Sequence, residues 1–290
     1  RSYRETPPHV AVAQAPLGTS RTRSCRETPP PAAARSRSDG SVIDSQPVRV
    51  YVLGLPVDGV SLDEAATWIL DEIRQPRVGA QTARLVVTLN PEIAILARSD
   101  DRLATALRRA ELSVADGVGI TWAARRKGLE LPQRVPGVDL VTEVLKRGGS
   151  DLSVYLLGAK PGVAEAAARV VTERYGTRVV GVHHGYFDKD KGASAISAMV
   201  RASRADLLLA GLGEGQELFL HENASAVGAK VMIGVGGTLD VLAGAIKRMP
   251  GWTSRLGVEW LFRVLLDPRR WKRLPRLWRF TWLVLRRTPS

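Results

Sequence analysis

The sequence predicts an α/β fold, an open parallel sheet with helices on both faces, followed by a basic helical appendage. Short apolar runs alternate with helix-patterned segments from residue 48 onward, and three of the strand-to-helix turns are rich in glycine. Strands that alternate with helices form parallel sheets with right-handed crossovers, and glycine-rich turns at strand ends make the sheet Rossmann-like. The positive charge is concentrated in the last forty-odd residues, which sets that end apart from the core.

Residues 1–46 are rich in Arg, Pro, Ser, Thr and Ala and hold no helical or strand period. Such a segment cannot bury enough apolar surface to offset its ordering entropy, so a disordered tail is expected. It repeats RSYRETPP at 1–8 as RSCRETPP at 23–30 and begins with Arg, which reads as a truncated or over-extended N-terminus.

The core is expected over 47–246. Arg49 to Leu55 reads as a strand and Pro56 to Val60 as a turn. Ser61 and Glu64 form a capping box that starts a helix. Leu85 to Thr88 is the next strand. Asn90-Pro91-Glu92 suits a helix start, with Asn as cap, Pro first and an acid in the first turn. One helix is expected from there, then a second short apolar segment ending at Asp116-Gly117. Helices follow at Val118 to Lys127 and Val138 to Lys146, separated by a loop with Arg134.

The second half repeats one unit. Strands are expected at Leu152 to Leu157, Arg178 to Val182, Asp206 to Ala210 and Lys230 to Val235. Gly158 and Gly162 follow the first, with a long Ala-rich helix to about Tyr175. His183-His184-Gly185-Tyr186-Phe187 follows the second. Gly211, Gly213 and Gly215 follow the third, with Gln216 opening a helix, and Gly236-Gly237 follows the fourth, with Thr238 opening another.

The hydrophobic fraction of 44% is that of a globular protein. The net charge is +13, of which +3 lies in 1–46 and +10 in 247–290, leaving the 200 residues between them neutral. A neutral core with a basic end points to an anionic partner of that end, either a membrane surface or nucleic acid. Cys25 is the single cysteine, so no intrachain disulfide can form, which fits a reducing cytoplasm. No apolar run approaches the roughly 18 residues of a membrane span, and no secretory signal is visible.

Within the basic end, Gly257 to Asp267 reads as an amphipathic helix with Val258, Leu261, Val264 and Leu265 on one face. Arg269 to Arg287 places Trp271, Leu274, Trp278, Trp282 and Leu285 at spacings of three or four, and Pro275 is expected to kink or split this helix. Five of the seven tryptophans follow residue 250. A basic helix with aromatics on its apolar side suits a membrane interface, where each basic residue contributes on the order of 1 kcal/mol.

Side chains just beyond the carboxyl ends of parallel strands line the ligand crevice, so Thr88, Asn90 and Asp116 are expected to face one pocket. A carboxylate there can act as a general base, although Asp-Gly also reads as a turn closing a strand. The glycine turns let backbone approach a ligand, and the helix starts behind them attract anions such as a diphosphate. Tight strand-to-helix turns need glycine in any case. Gly211 to Gly215 is no dinucleotide fingerprint, and Tyr51 to Val60 holds no GxGxxG, which argues against a nicotinamide enzyme. Asp188-Lys189-Asp190 has the form of a metal-holding DxD pair, but with Lys189 and Lys191 in it the stretch reads as a solvated loop. His183 and His184 lack a spaced metal-ligating partner.

Taken in order, several landmarks resemble the WecG/TagA/CpsF glycosyltransferases over roughly Val48 to Arg279. They are Thr88-Leu89-Asn90, Ala115-Asp116-Gly117, Arg134 with Gly137 and Asp139, Gly181 with Gly185-Tyr186-Phe187, Gly211 with Gln216-Glu217, Gly234-Val235-Gly236-Gly237, and Glu259-Trp260 with Arg263, Pro268, Arg270 and Arg273. The resemblance implies inverting transfer of a sugar, N-acetylmannosamine first and another hexose as the alternative, from a UDP-sugar to a polyprenyl-diphosphate-linked saccharide in cell-envelope polysaccharide synthesis. It implies Asp116 as base, with Thr88 and Gln216 beside it. The implied substrate-binding set is Asn90, Arg134, Asp139, Gly158, Tyr186, Gly211, Gly213, Gly234, Gly236, Gly237, Asp240 and Arg248, joined by Arg263, Arg270 and Arg273 of an appendage that folds over the site. Guanidinium groups suit a diphosphate, and no metal or other cofactor is implied, so amides and arginines must stabilise the departing UDP. The protein is then expected to be cytoplasmic and peripheral on the inner face of the cell membrane, without a nucleic-acid partner. Gly215 departs from the family, where Pro is usual.

Overall fold

The structure, a computed structural model, describes residues 48–77, 79, 82–128, 130–189, 191–246, 271 and 274–286. The expected tail over 1–46 and the expected helix over 257–267 lie outside the described residues.

The chain opens with a two-stranded antiparallel hairpin, β1 (Arg49–Val52) and β2 (Leu55–Asp58). This corrects the expected single strand and Pro56 to Val60 turn. Leu53 and Gly54 both take positive φ, 52° and 84°, the backbone of a tight hairpin turn. Pro56 is tolerated in a two-stranded ribbon. Helix α1 (Leu62–Arg74) begins at the Ser61–Glu64 capping box, with both reciprocal bonds formed.

Strand β3 (Arg84–Leu89) leads through Asn90 into α2 (Pro91–Leu96), then α3 (Asp101–Arg108) and β4 (Leu112–Ala115). The single helix expected after Asn90 is therefore two. Asp100 caps the second by accepting the amides of Arg102 and Leu103, both at 3.0 Å. Then come α4 (Val118–Arg125), α5 (Gly137–Gly148), β5 (Ser153–Gly158), α6 (Val163–Tyr175) and β6 (Arg178–His183). They are followed by α7 (Ala193–Ser203), β7 (Leu207–Gly211), α8 (Gln216–Asn223), β8 (Val231–Gly234) and α9 (Thr238–Leu242). The last described helix is α10 (Leu274–Arg286).

The six strands β3 to β8 form one parallel sheet in the order β4-β3-β8-β7-β5-β6. Alternate strand residues feed two apolar layers, as a sheet covered on both faces requires. Leu85, Val87, Leu208 and Met232 pack with α2, α3, α4, α7, α8 and α10 on one face. Val86, Leu207, Leu209 and Ile233 pack with α1, α5, α6 and α9 on the other. Helices α2 and α8 thus leave β3 and β7 toward one face, while α9 leaves the intervening β8 toward the other. In such sheets ligands bind beyond the carboxyl ends of the strands where the connections switch faces, which here is the end of β8.

The hairpin closes the β4 edge through one buried carboxylate. Asp58 is 3% exposed and accepts from Arg49 Nε and Nη2 at 2.7 and 2.9 Å and from the Ser113 amide at 2.7 Å. The bond to Asp58 holds the Arg49 guanidinium pKa above its ordinary value, against the opposing effect of burial. Asp58→Ala strands the Arg49 charge and the Ser113 amide, and is expected to cost about 3 kcal/mol in urea unfolding. A cost under roughly 1 kcal/mol would make this an ordinary surface pair.

Helix α10 bears on the reading of the basic end in two ways. The described helix begins at Leu274, so Pro275 lies in its first turn, where proline breaks no intrahelical bond. The stretch before it, where the expected kink or split would fall, lies largely outside the described residues. The Trp stripe faces outward: Trp271, Trp278, Trp282 and Leu285 are exposed, while Phe280 and Val284 are buried in the core. The helix therefore has two apolar sides, one docked and one open.

Candidate active site

Thr88, on β3, donates its hydroxyl to the Gly234 carbonyl at the end of β8, 3.2 Å away, and is 5% exposed. Asp116 directly follows β4, and its amide donates to Leu89 O at 2.9 Å, tying the ends of the two strands together. Its Oδ1 accepts from the Gly137 amide at 3.2 Å. Gly137 is the first residue of α5, whose own cap, Pro136, makes no side-chain bond. A carboxylate from one strand end thus caps the helix of a later segment, where free amides favour negative charge.

Two contacts extend this arrangement. The Val135 amide donates to Ala115 O at 2.8 Å, which lays the loop bearing Arg134 beside the end of β4 and Asp116. A Cβ on Gly137 would lie 3.2 Å from Thr88 Cγ2, so the start of α5 rests on β3.

From Gly234 the contacts continue to Gln216, the first residue of α8, which is 4% exposed. Its Nε2 donates to Glu217 Oε1 at 2.7 Å, and its Oε1 accepts from the Gly236 amide at 3.2 Å. Unbroken contact therefore runs from Asp116 through Gly137, Thr88 and Gly234 to Gln216 and Gly236. The expected trio of Asp116, Thr88 and Gln216 is gathered at one end of the sheet.

The glycine turns form a bare backbone shelf beside it. A Cβ on Gly158 would sit 2.4 Å from Gly211 O, and one on Gly211 would sit 2.6 Å from Gly236 O. No side chain fits between these turns, and they bring the ends of β5, β7 and β8 together. Gly213 turns the β7–α8 loop at φ +70°.

The remaining candidates divide. Arg134, Asp139 and Asp240 are partly buried, with Asp139 and Asp240 in the first turns of α5 and α9 and Gly237 immediately before α9. Asn90 uses its side-chain oxygen as the α2 cap, accepting from the Glu92 and Ile93 amides at 3.0 and 3.1 Å. Its oxygen, like the Thr88 hydroxyl, is engaged in the frame. Tyr186 is 65% exposed and is linked to the shelf through its neighbour, since the Gly185 amide donates to Ala159 O at 2.9 Å. Arg248, Arg263, Arg270 and Arg273 lie outside the described residues, as does Asp190.

Three residues take roles that the sequence reading did not give them. Arg276 of α10 donates to Glu92 Oε1 at 2.9 Å and to Glu214 Oε2 at 3.2 Å, joining the appendage to the start of α2 and the turn after β7. Burial opposes its charge, but bonding to Glu214 and Glu92 prevails and raises its pKa. It precedes the buried Phe280 and Val284 by four and eight residues, a spacing that places it on the docked side. Lys189, expected in a solvated loop, donates to Glu214 O at 2.9 Å and Leu212 O at 3.3 Å and so pins the β7–α8 turn. Glu217 is 2% exposed, and burial pushes its carboxyl pKa up. Among the described residues, no group of three His, Cys, Asp or Glu could hold a metal ion.

Residues 50–290 match the model of the "Glycosyl transferase WecG/TagA/CpsF family". The chain is 33% identical over 238 residues to proteins named N-acetylglucosaminyldiphosphoundecaprenol N-acetyl-beta-D-mannosaminyltransferase from Staphylococcus aureus strains MRSA252 and NCTC 8325. Each match covers 80% of this chain and 89% of the relative.

Proposed function

From the premise that this chain belongs to the WecG/TagA/CpsF glycosyltransferase family, we propose that it transfers N-acetylmannosamine from a UDP-linked donor to polyprenyl-diphosphate-linked N-acetylglucosamine, with inversion. The names of the relatives support the sugar and the acceptor. The observation that bears most on mechanism is the contact path that puts the Asp116 carboxylate and the glycine shelf at one end of the sheet.

Asp116 takes the proton of the acceptor hydroxyl as that oxygen attacks the anomeric carbon from the face opposite the nucleotide. The bond from the anomeric carbon to the diphosphate oxygen breaks, and UDP leaves with an added negative charge. Backbone amides of the Gly211–Gly215 turn and of Gly237, with guanidinium groups of the basic end, receive that charge without a metal ion.

The acceptor is anchored in a bilayer, and the outer side of α10 suits one. Trp278 and Trp282 are 75% and 49% exposed, and Arg286 lies over the Trp282 ring at 3.9 Å. No helix among the described residues is long and apolar enough to cross a membrane. The exposed aromatic side of α10 and the basic end support reading the protein as peripheral, on the inner face of the cell membrane. Replacing both tryptophans with Ala is expected to abolish most co-sedimentation with anionic vesicles. Undiminished sedimentation would remove this face from membrane contact.

The deciding assay incubates the protein with UDP-N-acetylmannosamine, UDP-N-acetylglucosamine, UDP-glucose or UDP-galactose and a polyprenyl-diphosphate-linked N-acetylglucosamine, and weighs the lipid product. Extension with UDP-N-acetylmannosamine is expected. Extension only with another hexose would correct the donor, and no extension with any would overturn the proposal.

A further inference from the structure

Gln216 is held at both ends of its amide. Nε2 donates to Glu217 Oε1 at 2.7 Å, and Oε1 accepts from the Gly236 amide at 3.2 Å. The two ends of a primary amide are alike in shape and opposite in hydrogen-bonding sense, so orientation must be set by the partners. Behind the pair stands Gly234, where a Cβ would meet Gln216 Nε2 at 2.9 Å and Glu217 Oε1 at 3.1 Å. The two side chains are therefore seated directly against the end of β8, and Glu217 is the acceptor that fixes which way the amide faces.

We propose that Glu217 is a positioning residue for the transfer reaction: it locks the Gln216 amide in the orientation that secures the Gly236 turn and aims the remaining polar valence of Gln216 at the sugar donor. This rests on the transferase reading given above. Burial pushes the Glu217 carboxyl pKa up, while hydrogen bonding to Gln216 and the charge of the Lys189 ammonium on the β6–α7 loop oppose that shift.

The sign of the pH effect follows. The unfolded chain releases this proton near a pH of about 4.3, while the native chain keeps it to higher pH. Between those two values the native state binds more protons, so stability falls as pH rises through that window. Glu217→Gln removes that part of the slope and keeps the acceptor.

The test compares Glu217→Gln, Glu217→Asp and Glu217→Met, alone and with Gln216→Ala, by urea unfolding against pH and by donor and acceptor kinetics. Glu217→Gln is expected to retain most of kcat/KM for the donor and to lose the slope. Glu217→Met, and Glu217→Asp, whose shorter chain cannot reach, are expected to lose about 10- to 100-fold in donor kcat/KM. Neither is expected to add to the loss in Gln216→Ala. If Glu217→Met does not fold, the contrast between the Asp and Gln variants decides. Additive losses, full activity in the Asp variant, or an unchanged slope in the Gln variant would overturn the inference. If wild-type protein transfers no sugar, the transferase reading fails, while the pH slope still reports on Glu217.

Discussion

Asp116→Asn is expected to lower kcat by a factor on the order of 10² to 10⁴ while leaving the fold and the affinity for UDP-sugar in place. An asparagine oxygen can still accept the Gly137 amide that Asp116 now accepts at 3.2 Å, so the cap on α5 survives. What the amide cannot do is take a proton from the attacking hydroxyl. The two roles of Asp116, as helix cap and as base, are thereby separated in one substitution. Single-turnover rates, with donor affinity measured by titration and stability by thermal melting, provide the three numbers needed. Turnover within a few-fold of wild type, with binding intact, would leave Asp116 only its structural role.

Phe280→Ala carries the largest expected cost in stability, about 3 to 5 kcal/mol, the usual range for emptying a fully buried phenylalanine site. The ring is 2% exposed, and its Cε1 lies 3.4 Å from where a Cβ on Gly119 would stand, three residues beyond Asp116. Losing it undocks the helix that delivers Arg276 to Glu92 and Glu214, so transfer is expected to fall together with the melting temperature. Trp278→Ala on the opposite side serves as the control: at 75% exposure it is expected to change stability by no more than about 0.5 kcal/mol. Equal melting temperatures for the two variants would show that α10 is not packed as described.

The parallel sheet was legible because most of its strands are short Val-, Leu- or Ile-rich runs closed by glycine or a small polar residue, a pattern that buried parallel strands impose. The hairpin was not, because its turn places Leu53, not glycine, at φ 52°, and the following Pro56 signals a turn more strongly than a strand. The break between α2 and α3 was present as Asp100, a residue that is both a good cap and an ordinary surface acid. Helix α10 misled for another reason: tryptophan is the strongest apolar signal in the segment, and the face it marks is the one left open.

Within the site, Asp116, Thr88 and Gln216 could be expected to converge because each stands at a strand end or helix start, which the alternating pattern places at the same edge. Arg276 could not be expected to join them. Its partners are 62 and 184 residues away, and only the packing of Phe280 and Val284 brings it there. Glu217 was visible as part of Gln216-Glu217, but its burial depends on β8, which pairs with β7 and β3 from far along the chain.

A structure of the protein with UDP-N-acetylmannosamine bound is the most direct measurement. The diphosphate should rest on the glycine shelf, within hydrogen-bonding distance of amides in the turns after Gly211 and Gly234, with the anomeric carbon facing Asp116. A donor bound at the opposite end of the sheet, or with its sugar turned away from Asp116, would contradict the account.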